Sequence, residues 1–205
     1  MYLPKLFKTE DYQLLKEIIC ENSFSSLITF NQRIRSTKAM FLLCGHTDNK
    51  FHLETHISKA NPIAKYIEKD DEVLCDFLGA HTYISSSWYD HINVSTWNYE
   101  AVQVYGHVEY MSDAELYNHL SDLTQKFEAT QKCPVTIEKM GQAYIEKEMK
   151  GALGIKILPS EVAIKQKLSQ NRDDKNYYNI IQNLEQSEGM MHQIIADKMK
   201  ALRKS

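Results

Sequence analysis

Residues 76–108 read DFLGAHTYISSSWYDHINVSTWNYEAVQVYGHV, and the fold is decided here. The stretch sets two tryptophans, four tyrosines and three histidines among β-branched residues. Their alternation predicts strands over 80–84 and 97–111, with the turn formers of 90–95 as the loop between them. A ring tipped with a hydroxyl or an NH buries area while keeping one polar end partnered. Such rings suit a planar ligand in a pocket that is apolar inside and wet at its mouth. Barrel filling, or a contact between two copies, accounts for Trp88, Tyr89, Trp97 and Tyr99 equally well, and composition alone does not separate the readings.

Working towards the N-terminus, 72–78 (EVLCDFL) predicts another strand. Asn61-Pro62 starts a helix running to about residue 69, because Asn caps free NH groups and Pro tolerates the first helical position. Strands are expected over 25–30, 36–44 and 51–56, joined by a polar link at 31–33 and by turn chemistry at 45–50 (GHTDNK). Strands so closely spaced predict an antiparallel meander. Leu14, Leu15, Ile18 and Ile19 mark a short amphipathic helix over 9–21, with Thr9 as its cap.

Towards the C-terminus, Ser112 and Glu115 form a capping box ahead of Leu116, Leu120, Leu123 and Phe127. Beyond the break at Pro134, a helix over 136–150 is expected to turn Ile137, Met140, Tyr144 and Ile145 inward. Gly151 stops it, and 154–158 returns as a strand. The tail from Asp173 carries Tyr177, Ile180, Ile181 and Leu184, a break at Glu188-Gly189, and then Ile194, Ile195, Met199 and Leu202. Strands with helices at the margins indicate an α+β chain on an antiparallel sheet, most simply a small barrel. No G-x-G-x-x-G, Walker-type or G-x-S-x-G sequence is present, which argues against a doubly wound nucleotide fold.

The chain has 205 residues and a formal net charge of −3, which suits one good core and argues against a surface given over to nucleic acid or anionic lipid. Cys20, Cys44, Cys75 and Cys133 lie far apart with no C-x-x-C, so neither a disulfide framework nor a local zinc motif is expected. The opening MYLPKLFK lacks the apolar region of a secretory leader, and no apolar run approaches the roughly 20 residues of a membrane span. A soluble cytoplasmic protein with no membrane partner is the expectation.

Three clusters carry chemistry. In HISKANP (56–62) a strand end, a hydroxyl, an ammonium and a helix start converge as a phosphate requires, although Ser58 and Lys59 also read as solvated linker. KLSQNR (167–172) combines cations for an anion with amides that read a heterocycle edge or cap a helix. Among the eight histidines, His52 and His56 stand about 13 Å apart along one strand face, too far to chelate one ion. His81 is the histidine most open to a functional role. The basic end, with Lys198, Lys200, Arg203 and Lys204, reads as a solvated helix face and shows no recognition-helix pattern for DNA.

The blocks MYLPKLF (1–7), HISKANP (56–62), GAHTYISSSWY (79–89), TWNYEAVQVYG (96–106) and KLSQNR (167–172) resemble the PaiB family in order and spacing over nearly the whole chain. The resemblance implies an α+β fold: an antiparallel FMN-binding split β-barrel with peripheral helices over 1–172. A helical C-terminal extension over 173–205 then packs on the same domain or on a dimer partner. It also implies a homodimer with FMN at the subunit interface, acting as a negative transcriptional regulator of sporulation and degradative-enzyme genes through direct or indirect action on DNA. The same fold serves flavin-dependent oxidoreductases and haem-handling enzymes, so fold alone does not fix function.

Carried onto this sequence, Lys38, Ser58 and Lys59 hold the phosphate. Trp88, Trp97 and Tyr99 flank the ring, and Lys167, Gln170 and Asn171 close the site, with Asn61, His81, Asn98 and Arg172 completing the cofactor-binding set. Two departures stand out. Thr37-Lys38-Ala39-Met40 replaces the family's Thr-His-Leu-Pro, removing a histidine and adding a cation. Gly79-Ala80-His81 replaces Gly-Pro-His.

Overall fold

Among the described residues, period-2 runs of β-branched and aromatic residues form seven strands, and 3.6-period runs form six helices. In chain order they are β1 (Lys8–Thr9), α1 (Tyr12–Glu21), β2 (Phe24–Asn31), β3 (Arg33–Thr47), β4 (Lys50–Ser58), β5 (Glu72–Ile84), β6 (Thr96–Tyr110), α2 (Asp113–Glu128), α3 (Ile137–Met140), α4 (Gln142–Met149), β7 (Ala152–Lys167), α5 (Asp174–Gln186) and α6 (Met190–Lys204). The computed structural model describes residues 1–47 and 50–204. The strands form one sheet in the order β1-β7-β4-β3-β2-β5-β6, antiparallel wherever register is defined. A further pairing of β7 with β6 returns the sheet on itself, which is the topology of a split barrel.

The chain divides into two compact units. The first comprises Met1–Glu21, Phe77–Gln103 and Ala163–Ser205; the second comprises Asn22–Asp76 and Val104–Val162. Three long strands, β5, β6 and β7, contribute one part to each.

In the second unit the expected meander is present. β2 pairs with β3 from Phe24↔Met40 to Asn31↔Arg33, the turn passing through Gln32 at φ 59. β3 pairs in turn with β4. The centre of the turn predicted at 45–50, Asp48 and Asn49, lies outside the described residues. Leu27, Phe41, Leu53, Ile155 and Ile157 point inward and are fully buried. The Ser112–Glu115 capping box forms as predicted and fixes the start of α2. Leu116 and Leu123 face the core, but the third buried residue of α2 is His119 rather than an aliphatic, and Phe127 stays 39% exposed. Gly106 is required: a Cβ there would lie 2.6 Å from both the Leu158 carbonyl oxygen and Ile157 Cγ2.

In the first unit Ile84, Leu168, Tyr177, Ile180, Leu184, Ile195 and Met199 form one buried cluster, with α5 and α6 carrying the spacing expected of the tail. Asp11, not Thr9, caps α1: its Oδ1 accepts from the backbone NH of Gln13 (2.8 Å) and Leu14 (3.2 Å). Thr9 belongs to β1, opposite Ile164.

Four other expectations are corrected. The helix predicted over 61–69 is a single 3-10 turn, Pro62–Lys65, capped by the Asn61 side chain. The strands predicted over 72–78 and 80–84 are one strand, β5, whose buried positions shift phase at Ala80–His81, as at a bulge. The helix over 136–150 divides at Gly141, φ 84, into α3 and α4; Ile137 and Ile145 are buried, whereas Met140 (37%) and Tyr144 (55%) are exposed. The returning strand predicted over 154–158 runs the full length of β7.

Candidate functional site

His81 and Tyr83 lie two apart on β5 and so share a face of the strand, and Trp97 at the start of β6 joins them. The Trp97 ring centroid is 6.1 Å from that of His81, at 33°, and 6.1 Å from that of Tyr83, edge-on. Trp97 is 51% exposed and Tyr83 45% exposed, so the three rings present an open aromatic wall. His81 Nδ1 lies 2.9 Å from the Gly79 carbonyl oxygen; donation there leaves Nε2 of the neutral ring as an acceptor. Gly79 lies where β5 and β6 approach, and a Cβ there would make a tight contact, 3.3 Å, with the Glu100 carbonyl oxygen.

Lysine chemistry borders the wall. Lys167 Nζ donates to the Trp97 carbonyl at 2.7 Å and to Thr96 Oγ1, tying the end of β7 to the start of β6. Burial, and then the Lys165 and Arg172 charges, lower its pKa from the ordinary lysine value. Lys165 Nζ lies 5.0 Å from the Tyr99 ring centroid and donates to the Tyr2 carbonyl at 2.9 Å. The Arg172 guanidinium sits 4.9 Å from the centre of the Tyr89 ring.

Other predicted residues of this unit are occupied by the fold. Asn98 is fully buried; its Oδ1 accepts from Ser169 Oγ at 3.0 Å and its Nδ2 donates to Met199 Sδ at 3.4 Å. Gln170 accepts from the Leu168 NH at 2.7 Å and donates to the Gln166 carbonyl at 2.5 Å. Trp88 packs against the cluster around Tyr177, and Asn171 is exposed on a turn.

The phosphate-side residues lie in the second unit. Lys38, on β3, donates from Nζ to Oγ of Ser26, its directly paired neighbour on β2, at 2.8 Å. Asn61 Nδ2 donates to Thr37 Oγ1 at 2.9 Å while its Oδ1 accepts from the Ile63 NH. Thr37 and Lys38 are consecutive on β3, so their side chains take opposite faces, and Asn61 and Lys38 do not converge. Ser58 Oγ accepts from the Ala60 NH. Lys59 Nζ donates to the Lys150 carbonyl at 2.9 Å and faces an open cleft of about 620 Å³ that Asp113, Tyr117 and Glu146 also line. Acids on that cleft make it a poor phosphate pocket, and the four-residue 3-10 turn after Asn61 has almost no dipole to add.

The structure therefore brings His81, Trp97 and Lys167 together in one unit, and leaves Lys38 and Asn61 on opposite faces of β3 in the other. It adds Tyr83, Thr96 and Lys165, which the sequence reading left unassigned. The i, i+2 spacing of His81 and Tyr83 was the available signal for the first of these.

A sequence profile described as "Putative FMN-binding domain" matches residues 1–160. The chain is 34% identical over 204 residues to the protease synthase and sporulation protein PAI 2 of Bacillus subtilis, covering 98% of this chain and 99% of that one. It is also 31% identical over 153 residues to an uncharacterized protein of Saccharomyces cerevisiae, covering 62% of this chain and 90% of the relative. Among solved structures, it superposes on the FAD and haem binding protein of Mycobacterium smegmatis with a TM-score of 0.59 at 13% identity, over 83% of this chain and 78% of that one. It superposes on the flavocytochrome Anf3 of Azotobacter vinelandii with a TM-score of 0.56 at 16% identity, over 84% and 75%. These two likenesses place the fold among split barrels. With the profile spanning most of its length and the Bacillus relative aligned almost end to end, the chain belongs to the PaiB family of proteins with an FMN-binding-type domain.

Proposed function

We propose that the chain is a PaiB-type negative transcriptional regulator of sporulation and degradative-enzyme genes, working as a cytoplasmic homodimer that binds FMN. The observation that carries this reading is the similarity to the Bacillus sporulation protein, which leaves almost none of either chain unmatched. The flavin component draws on the first unit, where a half-exposed indole stands beside an imidazole and a phenol with a lysine at its edge. Covering such a wall with a planar heterocycle removes apolar area from water and gains aromatic stacking.

In this reading Trp97 and His81 stack on the ring system, with Trp88 and Tyr99 nearby in sequence supporting the fold around them. Lys167 and Arg172 set positive charge beside it, and His81 Nε2 offers an acceptor to a ring NH. A bound flavin would supply one- or two-electron redox chemistry, while the chain binds, orients and shields it. An electrophoretic mobility shift on the promoters of sporulation and protease genes, run with and without FMN, tests the regulatory component. A retarded band is expected; its absence with folded protein removes direct DNA binding.

A flavin-dependent oxidoreductase or haem-handling enzyme is the second reading, favoured by the acceptor nitrogen that His81 keeps beside an exposed ring. FMN and haem titrated separately discriminate: haem binding without flavin binding would replace the first reading with this one.

A further inference from the structure

In the second unit, Cys44 on β3 lies directly opposite His52 on β4, and Glu54 follows two residues on, so all three side chains share one face. The Cys44 sulfur, one His52 ring nitrogen and one Glu54 oxygen lie within 4.8 Å of one another, and all three residues are partly buried. His52 Nε2 is 3.0 Å from Glu54 Oε1. The register shifts between Cys44 and Thr47, and at Gly45 (φ +65) a Cβ would stand 3.2 Å from His52 Nδ1, so the backbone there is shaped around that ring.

His119 reaches Glu54 from α2. Its side chain is fully buried, and its Nε2 is 3.1 Å from His56 Nδ1. Its Nδ1 has no hydrogen-bond partner, yet stands 3.6 Å from Glu54 Oε2. A histidine–carboxylate pair explains His52 and Glu54. It does not explain the thiol set beside them, while the buried His119 Nδ1 faces Glu54 Oε2, so that one carboxylate is shared between two imidazoles.

We propose that Cys44, His52 and Glu54 bind a divalent transition ion of the zinc class, with His119 as the positioning residue that holds the second carboxylate oxygen. Thiolate and imidazole favour zinc over magnesium or calcium, and three protein ligands leave a fourth tetrahedral position for water or a partner's donor. Binding replaces the S–H bond of Cys44 with S–Zn, and the proton leaves to solvent. Thiolate and carboxylate together cancel the ion's charge, so a neutral assembly is what becomes buried. His119 bridges from His56 to Glu54 as outer-shell groups do around zinc ligands.

The test uses the untagged full-length chain, stripped with a chelator and titrated with zinc chloride by calorimetry and with cobalt(II) chloride by absorption. One ion per chain is expected, with the charge-transfer band of a cobalt–thiolate bond. Zinc should also protect Cys44 from alkylation, read by peptide mass. Cys44→Ser should abolish the band while Cys133→Ser keeps it, and Glu54→Gln and His52→Ala should each weaken zinc binding by more than tenfold. His119→Ala should retain the band and weaken binding about 10- to 100-fold. The proposal is overturned if the wild-type chain takes up no stoichiometric zinc, if the band survives Cys44→Ser, or if zinc leaves Cys44 as reactive as before. The wild-type measurements decide the matter even where a variant fails to fold.

Discussion

Trp97 and Tyr177 show two opposite uses of an aromatic residue. Trp97 leaves 51% of its surface in water beside His81 and Tyr83, an arrangement that contributes little to folding but offers a face to a ligand. Trp97→Ala is expected to weaken FMN binding about fivefold, since stacking contributes about 1 kcal/mol, while the thermal midpoint moves little. Tyr177 is fully buried, donates its hydroxyl to the Met199 carbonyl at 2.7 Å, and lies 4.1 Å below the Arg203 guanidinium. Burial, and then neighbouring Tyr178, push its phenol up from 10.0 to about 12. The unfolded chain therefore loses this proton first, so Tyr177's contribution is complete below its unfolded value of 10.0 and fades as pH rises towards about 12. Urea midpoints across that window should fall more steeply for wild type than for Tyr177→Phe, and the variant should cost about 1 kcal/mol at neutral pH.

The strands carry most of the fold's information, and their irregularities mark where it runs out. Gly106→Ala should destabilise by about 1 to 3 kcal/mol in denaturant melts, because the new methyl meets the Leu158 carbonyl and Ile157 across the sheet. Replacing Ser112 by Ala removes one half of the capping box on α2 and should cost about 1 kcal/mol. The meander and the capped helices were legible in the sequence because alternation and caps act locally. β7 was not: Pro159 supplies no NH, and the Leu158–Pro159–Ser160–Glu161 run has no fully buried position, so the strand reads as ended before it resumes at Ala163. β5 was divided in two by the phase shift at Ala80–His81. The candidate site was legible in part. His81, Trp97 and Lys167 meet, but Asn98 is claimed by Ser169, 71 positions away, a partnership that no local pattern reveals. The Cys44–His52 pairing depends in the same way on hairpin register rather than spacing.

For the whole molecule, among the described residues no helix is long and apolar enough to cross a membrane. Phe30 (68%) and Ile34 (71%), a directly paired couple on the β2–β3 hairpin, are left exposed, which supports the proposed homodimer. Sedimentation equilibrium should give the mass of two chains for wild type and a lighter species for a Phe30→Glu, Ile34→Glu double variant; a single-chain wild type would contradict the dimer. Family membership and the split-barrel topology are independent of that result. The central claim is that this chain binds a flavin, and equilibrium titration of the purified protein with FMN, read by quenching of flavin fluorescence, tests it most directly. Saturation at one FMN per chain is the predicted result, and fluorescence that stays that of free FMN at every protein concentration would contradict it.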